Sequence, residues 1–175
     1  DLTTFLCRRF DREGTHRIPF ASAMTMLGCE DRQEDGNGTY IDIAGFLMQH
    51  GANPDADIPE LWRRMAFSLL VSNTDDHLRN HGFLRAKSGW DLSPAYDINP
   101  NPQRHGLSLN ITDTDNSLDF ELAMEVAPFF RVGDSEAKKI LDKVSSTVAK
   151  WRRYATGAGI GDAEQEEMEP AFQAC

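Results

Sequence analysis

Asn73-Thr74-Asp75-Asp76-His77-Leu78-Arg79-Asn80-His81-Gly82-Phe83-Leu84 packs Asn, Asp and His side chains directly ahead of a short apolar run. The residues before it have the opposite character. Leu61, Met65 and Leu69 recur at helical spacing, and Trp62, Phe67 and Leu70 widen the stripe, which predicts a buried central helix over 57–71. Asp57 reads as its N-cap, with Pro59 in the first turn and Glu60 three residues on. Beyond it, from 73 to 110, Gly, Pro, Asn and Asp are dense. The apolar runs there shrink to Gly82-Phe83-Leu84, Trp90-Asp91-Leu92 and Leu107-Ser108-Leu109, which read as short strands between loops.

Outward from this centre, residues 3–10 read as a short strand ended by the charged turn Asp11-Arg12-Glu13-Gly14. Residues 18–27 read as a strand end running into a short helix, and 28–38 as a solvated polar loop. Residues 40–50 carry Ile41, Ala44, Phe46, Leu47 and Met48 closer to a helical period than to alternation, with Gly51 and Pro54 closing the segment. The last third is helical again, over 118–130, over 135–154 with Asp134 or Ser135 as cap, and over the acidic segment 162–172. The fold class expected is α+β, predominantly helical, in one domain over 1–175, with a few short strands around an irregular centre.

Composition narrows the function classes. A chain of 175 residues with 40% hydrophobic content can bury a real core, roughly 70% of its unfolded surface. Its 28 acidic against 18 basic residues give a net charge of −10, the wrong balance for a duplex-binding domain, so no direct nucleic-acid binding is expected. No run of 18 apolar residues suggests a membrane helix. Cys7, Cys29 and Cys175 are widely spaced and contain no C-x-x-C pair, which fits a reducing cytoplasm and neither a disulfide framework nor a zinc site.

The spacing of the polar residues points to phosphoryl transfer. That chemistry needs a carboxylate to orient or deprotonate the acceptor hydroxyl, and oxygen ligands for the magnesium that neutralises a triphosphate. Protein kinases place an Asp and an Asn five positions apart on one loop, with a metal-binding Asp beyond a strand or two. Asp75 and Asn80 have that spacing, and Asp97 follows seventeen residues after Asn80 in Leu92-Ser93-Pro94-Ala95-Tyr96-Asp97-Ile98. Asp76 is only four residues from Asn80, so the catalytic role falls to Asp75. Asp76 is left as a loop residue or turn stabiliser whose change to Asn should be close to neutral. Trp62, Trp90 and Trp151 read as core rather than as ligand stackers.

These two segments together resemble the HipA family of serine/threonine kinase toxins, whose catalytic loop has the form N-x-D-x-H-x-x-N and whose metal-binding Asp lies in a P-x-Y-D segment. Arg9-Phe10-Asp11-Arg12 is similar to that family's R-F-D-R stretch, which follows the hinge strand between the lobes. The resemblance implies a kinase-like C-lobe, ATP and magnesium as cofactors, and Asp75 as the catalytic residue. His77, Leu78, Arg79 and Asn80 would contact ATP, with Asn80 a metal ligand. Tyr96 and Asp97 would form the second pair, Asp97 giving its carboxylate to the metal. Arg8, Arg9 and Phe10 would form the hinge segment whose backbone holds the adenine. The family has an acidic residue where Arg8 stands, so a backbone contact survives there and a side-chain contact does not. The partners implied are a protein substrate, such as an aminoacyl-tRNA synthetase or another translation factor, and a DNA-binding antitoxin.

One departure is large. The family's Gly-rich phosphate loop and ATP-binding lysine precede the hinge, and no comparable sequence occurs here. Gly36-Asn37-Gly38 is flanked by Glu34 and Asp35, which would repel phosphate. The chain therefore reads as a C-lobe cut from a longer kinase, inactive alone. Two alternatives stay open: a phosphoinositide-type lipid kinase, whose loop also reads D-x-H-x-x-N, and a non-catalytic binding module.

Overall fold

The computed structural model describes residues 6–30, 38–103 and 106–172. It is a mixed helix and strand fold, predominantly helical. Two helices form its centre. The first, α2 (Tyr40–His50), begins at a capping box: Thr39 Oγ1 accepts from the Asp42 N–H at 3.0 Å, and Asp42 Oδ2 accepts from the Thr39 N–H at 2.8 Å. Its buried face is Tyr40, Ile43, Ala44, Phe46 and Leu47.

The second, α3 (Pro54–Leu70), is the predicted central helix, but it starts three residues earlier than the pattern suggested. Pro54 takes the first helical position, where its missing N–H costs nothing. Asp57 is inside the helix, and its carboxylate accepts the Leu92 N–H at 2.9 Å instead of capping. Ile58, Leu61, Trp62, Met65, Ala66, Leu69 and Leu70 are fully buried. At about 1.5–3 kcal/mol for each large apolar side chain taken from water, this stripe dominates the core. Trp62 also donates its indole N–H to the Ala123 carbonyl at 2.9 Å.

A three-stranded antiparallel sheet lies against these helices, in the order β3 (Phe20–Ser22), β4 (Gly82–Arg85), β5 (Trp90–Leu92), with Ala21 opposite Phe83 and Leu84 opposite Asp91. Strand β3 runs straight into α1 (Ala23–Leu27), as expected. The Ala52 N–H donates to the Trp90 carbonyl at 3.0 Å and fastens the end of α2 to the sheet. That approach needs Gly89, where a Cβ would sit 2.5 Å from the His50 carbonyl oxygen.

Three segments differ from expectation. Residues 6–9 form no strand, and the charged turn is a small hairpin pairing β1 (Arg12–Glu13) with β2 (His16–Arg17); residues 3–5 lie outside the described residues. Leu107 and Leu109 are buried, but residues 107–109 are not a strand: the Leu107 N–H and carbonyl are both taken by Asn116, and Ser108 donates to Thr74. The predicted long helix is two, α5 (Asp134–Val148) and α6 (Trp151–Gly157), preceded by α4 (Phe120–Val126) and followed by α7 (Asp162–Met168). The expected polar loop falls largely at 31–37, outside the described residues. Among the described residues no helix is long and apolar enough to cross a membrane.

Candidate functional site

Helix α3 ends at Leu70, and the chain turns sharply through Ser72, whose φ is +49°. The polar loop then lies along the helix end, its residues alternating between burial and exposure. Asn73, Thr74, Asp76, Leu78 and Asn80 are buried, whereas Asp75 and Arg79 face solvent. The side chain of Asp75 is thus open to solvent, while the buried residues hold the loop.

Asn80 joins the two sequence motifs. Its Nδ2 donates to Asp97 Oδ2 at 3.2 Å and to the Asp97 carbonyl at 3.3 Å, and lies 3.5 Å from the Asp75 carbonyl. Two further contacts run in parallel. Asn73 Oδ1 accepts the Asn99 N–H at 3.0 Å, and Asn101 Nδ2 donates to Thr74 Oγ1 at 2.6 Å. Asn99 in turn donates from Nδ2 to Asp97 Oδ1 at 3.0 Å, so both oxygens of the Asp97 carboxylate have a donor. Asp97 sits at φ +56°, a left-handed conformation that Asp tolerates better than most residues. Sequence reasoning did not single out Asn99 or Asn101, for which the signal was the density of Asn beyond Asp97.

Asp76 corrects the expectation set for it. Its carboxylate is buried and accepts from the Tyr40 hydroxyl of α2 and, at 3.2 Å, from the Ser68 hydroxyl of α3. His81 Nε2 approaches Asp76 Oδ1 to 3.0 Å, a close polar contact that is not aligned as a hydrogen bond. Burial pushes the Asp76 carboxyl up, but the facing His81 and the two hydroxyl donors outweigh it and hold it below the ordinary carboxylate value. Burial, together with the adjacent Asp76, pushes the Tyr40 phenol well above its usual range. Asp76 thus stabilises more than its own turn, tying the loop to two helices.

At the other edge of the site, Arg8, Arg9 and Phe10 meet Phe20 and Tyr96 around a pocket of about 290 Å³. The three rings form a cluster, with centroids 5.7 Å apart for Phe10 and Tyr96 and 6.0 Å for Phe10 and Phe20. Gly82 makes room for it, since a Cβ there would lie 2.2 Å from the Phe20 ring. Phe20 is a member that the sequence pattern did not mark. Arg9 is turned to Asp11 in a two-pronged pair at 2.8 and 2.7 Å, which lowers the Asp11 carboxyl to about 2. The Tyr96 hydroxyl donates to the Arg79 carbonyl at 2.6 Å and bridges this pocket to the polar loop. Burial and the neighbouring Asp97 charge raise the Tyr96 phenol to about 12.

Of the remaining loop residues, Leu78 places its side chain in the core, so only its backbone can face a ligand. His77 is half-buried, and its buried Nδ1 has no hydrogen-bond partner among the described residues. Asn80 and Asp97 can each offer side-chain oxygen, a hard ligand. That suits magnesium, which takes one or two protein carboxylates and completes its shell with phosphates and water. The aromatic pocket suits a flat heterocycle.

The model of the family described as HipA-like C-terminal domain matches residues 1–151. A Haemophilus influenzae protein, named as a candidate kinase, is 32% identical over 113 residues, covering 57% of this chain and 32% of that protein. A Sinorhizobium fredii protein, candidate kinase Y4mE, is 28% identical over 83 residues, covering 47% of this chain and 20% of that one. This chain thus spans a third or less of the length of these relatives. Among solved structures, HipA of Shewanella oneidensis MR-1, from a toxin–antitoxin complex with HipB and operator DNA, shares the fold. Its TM-score is 0.71 at 15% identity, over 93% of this chain and 45% of that one.

Proposed function

Because the chain belongs to the HipA-like C-terminal domain family, we propose that it is the catalytic lobe of an ATP- and magnesium-dependent protein serine/threonine kinase. One observation carries this reading. The Asn80 amide lies within 3.5 Å of both the Asp75 backbone carbonyl and the Asp97 carboxylate, tying the backbone that carries the exposed acid to the second acid.

In this reading the Asp75 carboxylate faces solvent so that an acceptor hydroxyl can reach it, and it orients that hydroxyl or takes its proton. Asn80 and Asp97 are the residues that would hold magnesium, which when bound neutralises phosphate charge. Phe10, Phe20 and Tyr96, with the backbone of Arg8 and Arg9, would hold the adenine, and the buried His77 Nδ1 would be available to the phosphates. The Gly-rich loop and lysine of the family would come from the longer protein, consistent with the relatives' greater lengths. Residues 1–175 would then form a kinase-like C-lobe acting in the cytoplasm on a protein substrate, with an aminoacyl-tRNA synthetase or similar translation factor as the first class to try. A DNA-binding antitoxin would restrain it, as the HipB partner in the Shewanella complex suggests.

The test is phosphate transfer from radiolabelled ATP by the longer protein, with and without magnesium, beside its Asp75→Asn form. Metal-dependent labelling of a serine or threonine that Asp75→Asn abolishes is the expected result. Transfer unaffected by that substitution would defeat the assignment. The 175-residue chain alone should bind Mg-ATP weakly by calorimetry and turn over negligibly, because the lysine and phosphate loop supply transition-state electrostatics it lacks.

A further inference from the structure

A trough leads away from the Asp97 segment along the seam between α3 and α5. Its first part, about 290 Å³, is lined by the apolar Phe67, Ala95, Ile98 and Val144 together with Arg63, Arg64 and Lys143. Its second part, about 490 Å³, shares Phe67 and Thr147 with the first and is lined chiefly by Val71, Trp151, Tyr154, Met168 and Phe172. Ala95 and Ile98 flank Tyr96 and Asp97, so the trough begins one residue from the metal-type acid. Arg64 belongs to both neighbourhoods, since it also lines the narrow cleft that holds Asp76, Asn80 and Tyr96.

The charge of the first part opposes that of the chain. Glu60, the one acid lining it, accepts from Arg63 and, at 3.0 Å, from Arg64 Nε. One carboxylate against two guanidiniums and an ammonium leaves a positive surplus in a chain of net charge −10. Arg63 and Lys143 are exposed, so the surplus is within reach of a ligand. A local positive surplus on a chain of net negative charge, close to the Asp97 segment, both steers and selects an anionic ligand. The apolar continuation supplies the anchoring pocket that a charged rim alone lacks.

We propose that this trough docks the acceptor polypeptide and selects a segment with acidic side chains next to the phosphorylated residue and a bulky apolar side chain beyond them. The proposal rests on the phosphotransfer reading for its meaning, but its test does not need transfer. Fluorescein-labelled short peptides, each with one serine, are titrated with the full 175-residue chain at low salt and without nucleotide, and binding is read by anisotropy. The parent peptide carries glutamates on one side of the serine and a leucine beyond them. One version replaces the glutamates by glutamine and another the leucine by serine. The parent should bind about tenfold tighter than either, and added salt should weaken only the peptides that keep their glutamates.

Arg63→Glu combined with Lys143→Glu, at two exposed positions, should remove the preference for glutamate while the melting temperature stays put. Equal binding of the glutamate and glutamine peptides would overturn the proposal. So would full affinity retained after the charge reversal. Displacement of the parent peptide by a single-stranded DNA oligonucleotide would also overturn it, by marking the trough as a general polyanion patch. Discrimination among peptides by a chain whose longer parent transfers no phosphate would count against the kinase reading and leave the polypeptide site in place.

Discussion

The facing sides of α2 and α3 and the junction between residues 73–80 and 97–101 are held together in different ways. The helices share one apolar cluster that includes Ile43, Leu47, Leu61, Met65 and Leu69, all fully buried, in contacts without direction. The junction is directional: Asn80 donates to Asp97, Asn99 to Asn73 and Asn101 to Thr74, while Tyr40 and Ser68 tie its Asp76 to the two helices. Apolar packing spreads a loss over many neighbours, whereas a directed polar contact has one partner, and removing it leaves that partner stranded. Damage to the helices should therefore cost stability in proportion to volume. Damage to the junction should cost function out of proportion to stability.

The largest effects expected are on transfer. In the longer protein, Asp75→Asn should lower single-turnover phosphorylation by roughly 10²–10⁴-fold with Mg-ATP affinity nearly intact, while Asp97→Asn should weaken both. Equal behaviour of the two variants would erase the division of roles within the junction. On the helical side, Trp62→Ala should destabilise by about 3–5 kcal/mol, from a cavity and the loss of the bond to Ala123. Urea unfolding measures it, and transfer per folded molecule should be unchanged.

Asp76→Asn is the intermediate case, since Asp76 touches both regions. A cost of about 1–3 kcal/mol is expected at neutral pH, as its donors keep an imperfect acceptor. The pH dependence has a definite sign. Because the folded state holds this carboxyl below its unfolded value, its contribution is present above that value and is lost as the pH falls through the folded one. Urea midpoints taken between neutral and acid pH should therefore converge for wild type and Asp76→Asn, and parallel curves would count against the assignment. The smallest stability change belongs to Asn99→Ala. That change removes one donor to the Asp97 carboxylate but keeps the backbone bond to Asn73. The urea midpoint should barely move, while magnesium affinity, titrated calorimetrically in the presence of ATP, should fall by up to roughly tenfold. An unchanged metal affinity would make the Asn99 contact incidental.

What could be read in advance follows the same division. Helix α2 was legible to the residue, because its apolar period is unbroken. Helix α3 was legible as the core element, but its start was not, since the carboxylate of Asp57 found a tertiary partner at Leu92. Nothing in Ala149-Lys150 marks the break between α5 and α6. Leu107-Ser108-Leu109 alternates like a strand, yet its hydrogen bonds go to Asn116 and Thr74. In the site, the spacing brought Asp75, Asn80 and Asp97 forward, because loop chemistry is local. It passed over Asp76, Asn99, Asn101 and Phe20, whose partners lie 36, 26, 27 and 76 residues away in sequence.

The loop's backbone carries a consequence for its motion. The Asn73 N–H donates to the Ser68 carbonyl at 2.8 Å, Asp76 to Asn73 at 3.2 Å, Asn80 to His77 at 2.8 Å, and Asn101 to Ser72 at 3.1 Å. An amide with a buried partner trades its hydrogen for deuterium only when the structure around it opens. This irregular stretch should therefore exchange on the slow timescale of the helices beneath it, well behind the exposed turn at Lys87 and Ser88, and it should open with the end of α3 as one unit.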